Sequence, residues 1–226
     1  GRKNIGELVR LKVWMAVGSR VVLDLVLAGD NAVVIAMASH HLPDTIRKRA
    51  VLIGTAGAVL IRMLMTLVAV WLLTVPYLQA IGGLVLLPIA LKLLKPSEHH
   101  LKMDESAGFW SAVKTIIIAD AAMGIDNVLA IAGASHGNFV LVLLGLMISV
   151  PIIVGGSQLI GSLMNRYPVL IYIGSAILAW TAGTMLVHDR SIGAWLVNSL
   201  GTMAIYGLPA LSALVICTIG YKMRTR

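Results

Sequence analysis

Apolar residues run in long blocks along this chain, and the polar ones gather in short clusters between them. The blocks cover roughly 13–38, 50–74, 77–94, 110–135, 138–160, 168–187 and 199–221, divided by HHLPDTIRKR, KPSEHHLKMDES, SHGN, NRYP and HDRS. Most blocks approach or exceed the roughly 18–20 residues that carry a helix across a bilayer. The pattern predicts an all-α, polytopic membrane protein with seven transmembrane helices in a single transmembrane domain over 1–226. Residues 1–12 (GRKNIGELVRLK) are mixed in charge and lack the apolar centre of a cleavable signal peptide. They read either as an amphipathic interfacial helix or as a frayed end.

Composition agrees with that reading, with hydrophobic residues at 58% and charged residues at only 12% of 226. The single Cys217 excludes an internal disulfide framework. A net charge of +8 raises the question of nucleic acid, but the basic residues lie at span ends, which points to lipid headgroups and excludes nucleic acid as the expected partner. One side collects Arg47, Lys48, Arg49, Lys92, Lys95 and Arg166 with the basic carboxy-terminal residues. The other holds Arg190 and the amino-terminal basic residues, Arg20 among them. This bias puts the amino terminus outside and the carboxy terminus in the cytoplasm, against the pull of the basic start.

The chain also repeats itself. DLVLAGDNAVVIAMASH, from Asp24, returns as DAAMGIDNVLAIAGASH, from Asp120, with Asp24/Asp120, Asp30/Asp126, Asn31/Asn127, Ser39/Ser135 and His40/His136 aligned. A weaker echo joins PYLQAIGG, from Pro76, to PVLIYIGS, from Pro168. Two three-helix repeats, about 13–94 and about 110–187, are therefore expected ahead of a seventh helix at about 199–221. Three spans per repeat invert the second copy relative to the first, an arrangement of many secondary transporters, whose substrates bind at the midplane.

The aspartates fall near the middles of the first and fourth spans. Members of each pair are six residues apart, a rise of roughly 9 Å and a rotation leaving them about 120° apart, so one ion does not easily reach both. Inversion supplies the missing partners by bringing Asp24 level with Asp126, and Asp30 level with Asp120. Asn31 and Asn127 follow Asp24 and Asp120 by nearly two turns and face the same way, adding carbonyl oxygens.

A lone polar residue in a membrane helix often does no more than join helices by a hydrogen bond. Four aspartates are another matter, at roughly 2.5–3.5 kcal/mol each on insertion scales and roughly 10 kcal/mol together. The one basic residue near a span centre, Arg62, cannot neutralise four carboxylates, and reads as either a counter-ion or a packing pin. A cation pathway is the expected compensation. Hard oxygen donors without a cysteine cluster favour Mn²⁺, Mg²⁺ or Ca²⁺. Neighbouring carboxylates titrate as a coupled set, so an arriving ion can displace protons that move the other way.

Other features weigh less. Gly29 and Gly124 beside the aspartates permit either local unwinding or close helix crossing. Gln158 is a candidate for lining the path. His40 and His136 sit at span ends and read as interfacial, whereas His99 and His100 beside Glu98 form a weak cytoplasmic metal contact at most. Trp14, Trp71, Trp110 and Tyr221 read as interface anchors.

The doubled signature DLVLAGDNAVVIA and DAAMGIDNVLAIA resembles that of the TerC family of integral membrane proteins, most closely its small members, and the likeness extends from Trp14 through IGGLVLLPIALKLL and NRYPVLIYIGSAIL. It implies export of Mn²⁺, or another metal, across the cytoplasmic membrane of a bacterium, with Asp24, Asp30, Asn31, Asp120, Asp126 and Asn127 as the metal site. Mn²⁺ is then cargo, and no prosthetic group or covalent step is implied. Two competing functions stay open: a membrane scaffold or insertion factor whose aspartates are structural, and an intramembrane aspartyl protease. For the latter, AGD at Ala28–Asp30 lacks the first glycine of GxGD, and no YD partner is present.

Overall fold

The computed structural model describes residues 6–11, 15, 29–95, 105–133 and 139–225, and side chains throughout except between 130 and 144. Its elements are helices, and no strand occurs among the described residues. After a helical stretch at 6–11, they are α1 (29–39), α2 (Asp44–Leu67), α3 (Ala69–Leu72), α4 (Leu78–Leu94), α5 (Glu105–Gly133), α6 (Phe139–Arg166), α7 (Val169–His188), α8 (Gly193–Leu200) and α9 (Ala204–Arg224).

Boundaries follow local chemistry more closely than hydropathy does. α2 begins at Asp44, just after Pro43, and its first turn carries the Asp44–Arg47 ion pair. The polar cluster expected to separate two spans is thus partly helical. At the far end the helix breaks at Val68 rather than running to 74, and α3 is a single turn beyond it. Tyr77, at φ 60°, sets the start of α4. α8 was not expected from the sequence, because HDRS reads as loop punctuation.

Four described helices are long and apolar enough to cross a bilayer: α2, the part of α6 from Gly145 to Arg166, α7 and α9. α4 is apolar but shorter, at 17 residues. α5 has the length, at 29 residues, but carries Lys114, Asp120 and Asp126. Most of the first expected span, 13–38, lies outside the described residues.

Close contacts fix the directions of the packed helices. Gly54 on α2 sits against Ile116 on α5, and Arg62 against Asp120, so α2 and α5 run parallel. Gly156 on α6 faces Ala32 on α1, and Gly161 faces Ala36 and His40, so that pair is parallel too. α4 and α7 are antiparallel, with Gly83 against Ala182 and the Ser175 hydroxyl donating to the Ala90 carbonyl at 2.8 Å. α9 runs back along α7, placing Pro209 beside Gly183 and Cys217 beside Tyr172.

Small residues allow these approaches. A Cβ on Gly83 would stand 2.6 Å from the Ala182 carbonyl oxygen, and one on Gly183 would stand 2.6 Å from the Pro209 Cα. The main core, centred on Met37, Leu86, Leu178 and Met185, draws on α1, α4 and α7, with Ala119 from α5 and Ile216 from α9. Leu52, Leu60, Leu84, Met147 and Ile148 point outward, as suits helices solvated by lipid. Trp71, Trp110 and Tyr221 are exposed near helix ends, and Trp14 is outside the described residues.

Candidate functional site

Parallel packing of α2 on α5 brings residue 62 to the depth of residue 120. Arg62 Nη2 donates to Asp120 Oδ1 at 2.7 Å, and the two side chains are only 13% and 15% exposed. Gly124, one turn further along α5, leaves room for the arginine: a Cβ there would lie 3.5 Å from Arg62 Nε and 3.4 Å from Met65 Cε. α5 is continuous through this glycine, so its role is close packing rather than unwinding.

The second α5 carboxylate has a partner that the sequence did not suggest. Gln79 Nε2, in the first turn of α4, donates to Asp126 Oδ1 at 2.7 Å. Asp189 braces the start of α4. It is 4% exposed and accepts N–H groups from Ala80 (3.0 Å), Ser191 (2.8 Å) and Ile192 (3.0 Å). One carboxylate thereby ties the beginning of α4, and with it Gln79, to the turn between α7 and α8.

Around the Arg62–Asp120 pair lies a cavity of about 20 Å³ between α1, α2, α5 and α6, lined in part by Ile35, Thr55, Leu146, Ser149 and Ile153. Of the other expected site residues, Asn31 is buried and Asp30 and Asn127 are half-buried. Asp24 and Arg20 lie outside the described residues. Among the described residues, no three His, Cys, Asp or Glu side chains gather into a metal-binding group. The geometry therefore assembles two separate donor–carboxylate pairs, one charged and one neutral on the donor side.

Three further expectations concern polar residues away from these pairs. Gln158 is exposed on α6 and does not line the cavity, because the inward face of that helix is taken by Leu146, Ser149 and Ile153. His40 is half-buried, with its Nδ1 2.9 Å from Asn165 Oδ1, while Asn165 Nδ2 donates to the His40 carbonyl at 3.2 Å. His99, His100 and His136 lie outside the described residues.

Apolar helices that bury carboxylates against polar partners from other helices define an integral membrane protein with an interior polar site. Residues 9–226 match the integral membrane protein TerC family, and the chain belongs to it. It is 44% identical to the uncharacterized membrane protein YjbE of Bacillus subtilis over 200 residues, which span 88% of this chain and 92% of that one. Identity to YkoY of the same organism, also an uncharacterized membrane protein, is 31% over 74% of this chain and 57% of YkoY. The inner membrane protein YgdQ of Escherichia coli is 25% identical over 79% of this chain and 83% of its own. No solved structure matches this chain.

Proposed function

We propose that this protein exports a divalent metal ion, Mn²⁺ before others, from the cytoplasm of a bacterium in exchange for protons. The observation that carries the reading is the environment of α5, where Asp120 and Asp126 are sunk among helices and met by Arg62 and Gln79. Buried carboxylates of this kind mark ion or proton paths in membrane proteins. Their oxygens, with those of Asp24, Asp30, Asn31 and Asn127, form a hard donor set suited to Mn²⁺. Arg62 holds Asp120 in the arrangement seen here and yields it when the ion arrives.

Helix directions support the seven-helix, inverted-repeat architecture. α2 and α5 run parallel, as do α1 and α6, which is the pairing expected when the second copy is turned over relative to the first. On this reading the ends that carry Arg49, Lys92, Arg166 and Arg224 face the cytoplasm. Lys92 donates to Ser111 at 3.1 Å and to Thr115 at 3.3 Å, which sets the end of α4 beside the start of α5. The amino terminus is then outside and the membrane is the cytoplasmic one.

The test is flux through the purified protein in liposomes. Mn²⁺ movement with opposing proton movement is expected, and Asp30→Asn or Asp126→Asn removes both. Undiminished flux in those variants rejects the assigned site. The Arg62–Asp120 ion pair also suits a scaffold whose aspartates only join helices. That second reading predicts no metal flux in the parent protein and intact client assembly in Asp126→Asn.

A further inference from the structure

Gly220 on α9 lies against Leu94, the last residue of α4, so closely that a Cβ on the glycine would stand 2.4 Å from the leucine Cδ1. α4 and α9 therefore end side by side, and Lys95, Lys222 and Arg224 all follow within about one turn of that contact. All three are exposed, and among the described residues none has an ion-pair partner. Like charges gathered at one corner leave a local excess that an anion from outside the chain relieves.

Arg224 folds back onto the bundle. Its Cζ stands over the Tyr172 ring of α7, 5.9 Å from the centroid. Long helical side chains lean toward the amino-terminal end of their own helix, and α7 and α9 are antiparallel, so Tyr172 leans toward the end of α9 while Arg224 leans back to meet it. A guanidinium laid on a ring face keeps its N–H edge for the oxygens of a phosphate. Val169, Tyr172 and Ile173 fall on one face of α7, at i, i+3 and i+4, and Val169 and Ile173 are exposed. The cations thus stand at the end of an apolar strip on a helix long enough to cross the bilayer. A soluble anion uses only the charges, and an acidic protein segment does not reach a strip covered by hydrocarbon. A phospholipid with an anionic headgroup uses both.

We propose that the shared end of α4, α7 and α9 binds one anionic phospholipid, its phosphate held by Lys95, Lys222 and Arg224 and its acyl chains laid along Val169 and Ile173. Tyr172 is then a positioning residue that keeps Arg224 at the depth of the headgroup. The site depends on the membrane setting of these helices and not on metal transport, so the two readings stand or fall separately. Each basic side chain close to an anionic lipid strengthens binding by about five-fold.

Titration of the full chain in detergent with phosphatidylglycerol or phosphatidylcholine, read by native mass spectrometry, tests this. The first phosphatidylglycerol should bind on the order of a hundred-fold more tightly than phosphatidylcholine. Lys222→Gln with Arg224→Gln should weaken phosphatidylglycerol by about twenty-five-fold and leave phosphatidylcholine unmoved. Lys48→Gln with Arg49→Gln removes the same charge at the start of α2, which packs on α5, and should leave both affinities unchanged. Equal weakening by the two double variants would reduce the effect to general surface charge, and equal affinities for the two lipids would show that no headgroup is recognised. Either result overturns the site. Millimolar inorganic phosphate should leave the lipid bound; displacement would assign the cations to a soluble anion and overturn it as well. Tyr172→Leu keeps every charge and should weaken phosphatidylglycerol by about three-fold, an effect that vanishes when Arg224 is already Gln. A loss that persists without Arg224, or no loss at all, overturns the positioning role.

Discussion

Gln79 and Asp126 meet across the two sequence copies, with the Nε2 of the first α4 turn donating to a carboxylate oxygen in the last third of α5 at 2.7 Å. Removing the donor leaves the carboxylate without that partner, which costs roughly 1–3 kcal/mol for a buried group. Gln79→Leu is therefore expected to lower stability by about that amount in reversible unfolding from mixed micelles. The same change made on an Asp126→Leu background should cost far less, because the group that needed the donor is gone. Equal losses on both backgrounds would mean that Gln79 acts through packing alone.

Arg62 and Asp120 make a different prediction because their hydrogen bond joins opposite charges. Breaking a buried pair from one side typically costs about 3–5 kcal/mol, whereas replacing both members is often near neutral. Arg62→Met should therefore melt well below the parent, and Arg62→Met with Asp120→Leu should recover much of the loss. If Asp120 binds the transported ion, Mn²⁺ takes over the role of the guanidinium. An ion at about a hundred times its dissociation constant adds about 2.7 kcal/mol, so saturating Mn²⁺ should raise the melting temperature of Arg62→Met and leave the double variant unmoved. No response from the single variant counts against Asp120 as a metal ligand.

The α5 carboxylates were legible in the sequence for a simple reason: Asp120 and Asp126 repeat a polar spacing inside an apolar block, and that repetition survives without knowledge of packing. Arg62 was legible too, as the one basic residue near a span centre, and it meets Asp120; the partner of Asp126 was not. Gln79 is one amide in an apolar helix, and reading it as a ligand of Asp126 requires knowing that Asp189 pins the start of α4. Gly124 was ambiguous between unwinding and packing until the neighbouring guanidinium was in view. The limits of α2 escaped for a related reason, since hydropathy marks the part of a helix suited to lipid while the backbone continues through the charged turn at Asp44.

The crossing of α4 and α7 depends on a missing side chain. A Cβ at Gly83 would fall 2.6 Å from the backbone oxygen of Ala182, an atom that cannot rotate away. Gly83→Ala must push the helices apart, and overpacking of this kind costs about 1–3 kcal/mol. Gly155 on α6 provides the control, because nothing lies within 4 Å of its hypothetical Cβ. Gly155→Ala should be neutral or gain up to about 1 kcal/mol of helix propensity. Thermal unfolding of the two variants side by side checks the pair, and equal melting temperatures would place the tight crossing elsewhere.

Asp189 joins two elements that share no covalent neighbour, since its Oδ2 accepts from Ala80 at the start of α4 while its Oδ1 accepts from Ser191 and Ile192 before α8. Asp189→Ala releases all three donors. Water can reach the exposed Ser191 readily but not the buried Ala80, so the loss concentrates at α4, at roughly 1–3 kcal/mol for the orphaned amide. The first turn of α4 then frays and carries Gln79 away from Asp126. Hydrogen exchange should show faster exchange at Ala80 and Ile81 in Asp189→Ala, with the middle of α9 unchanged. Asp189→Asn keeps one acceptor and turns the other position into a donor that opposes an N–H, so its protection should fall between the two. Parent-like protection of Ala80 in Asp189→Ala would show that α4 starts where it does because of Tyr77 and the packing of Gly83, without help from the carboxylate.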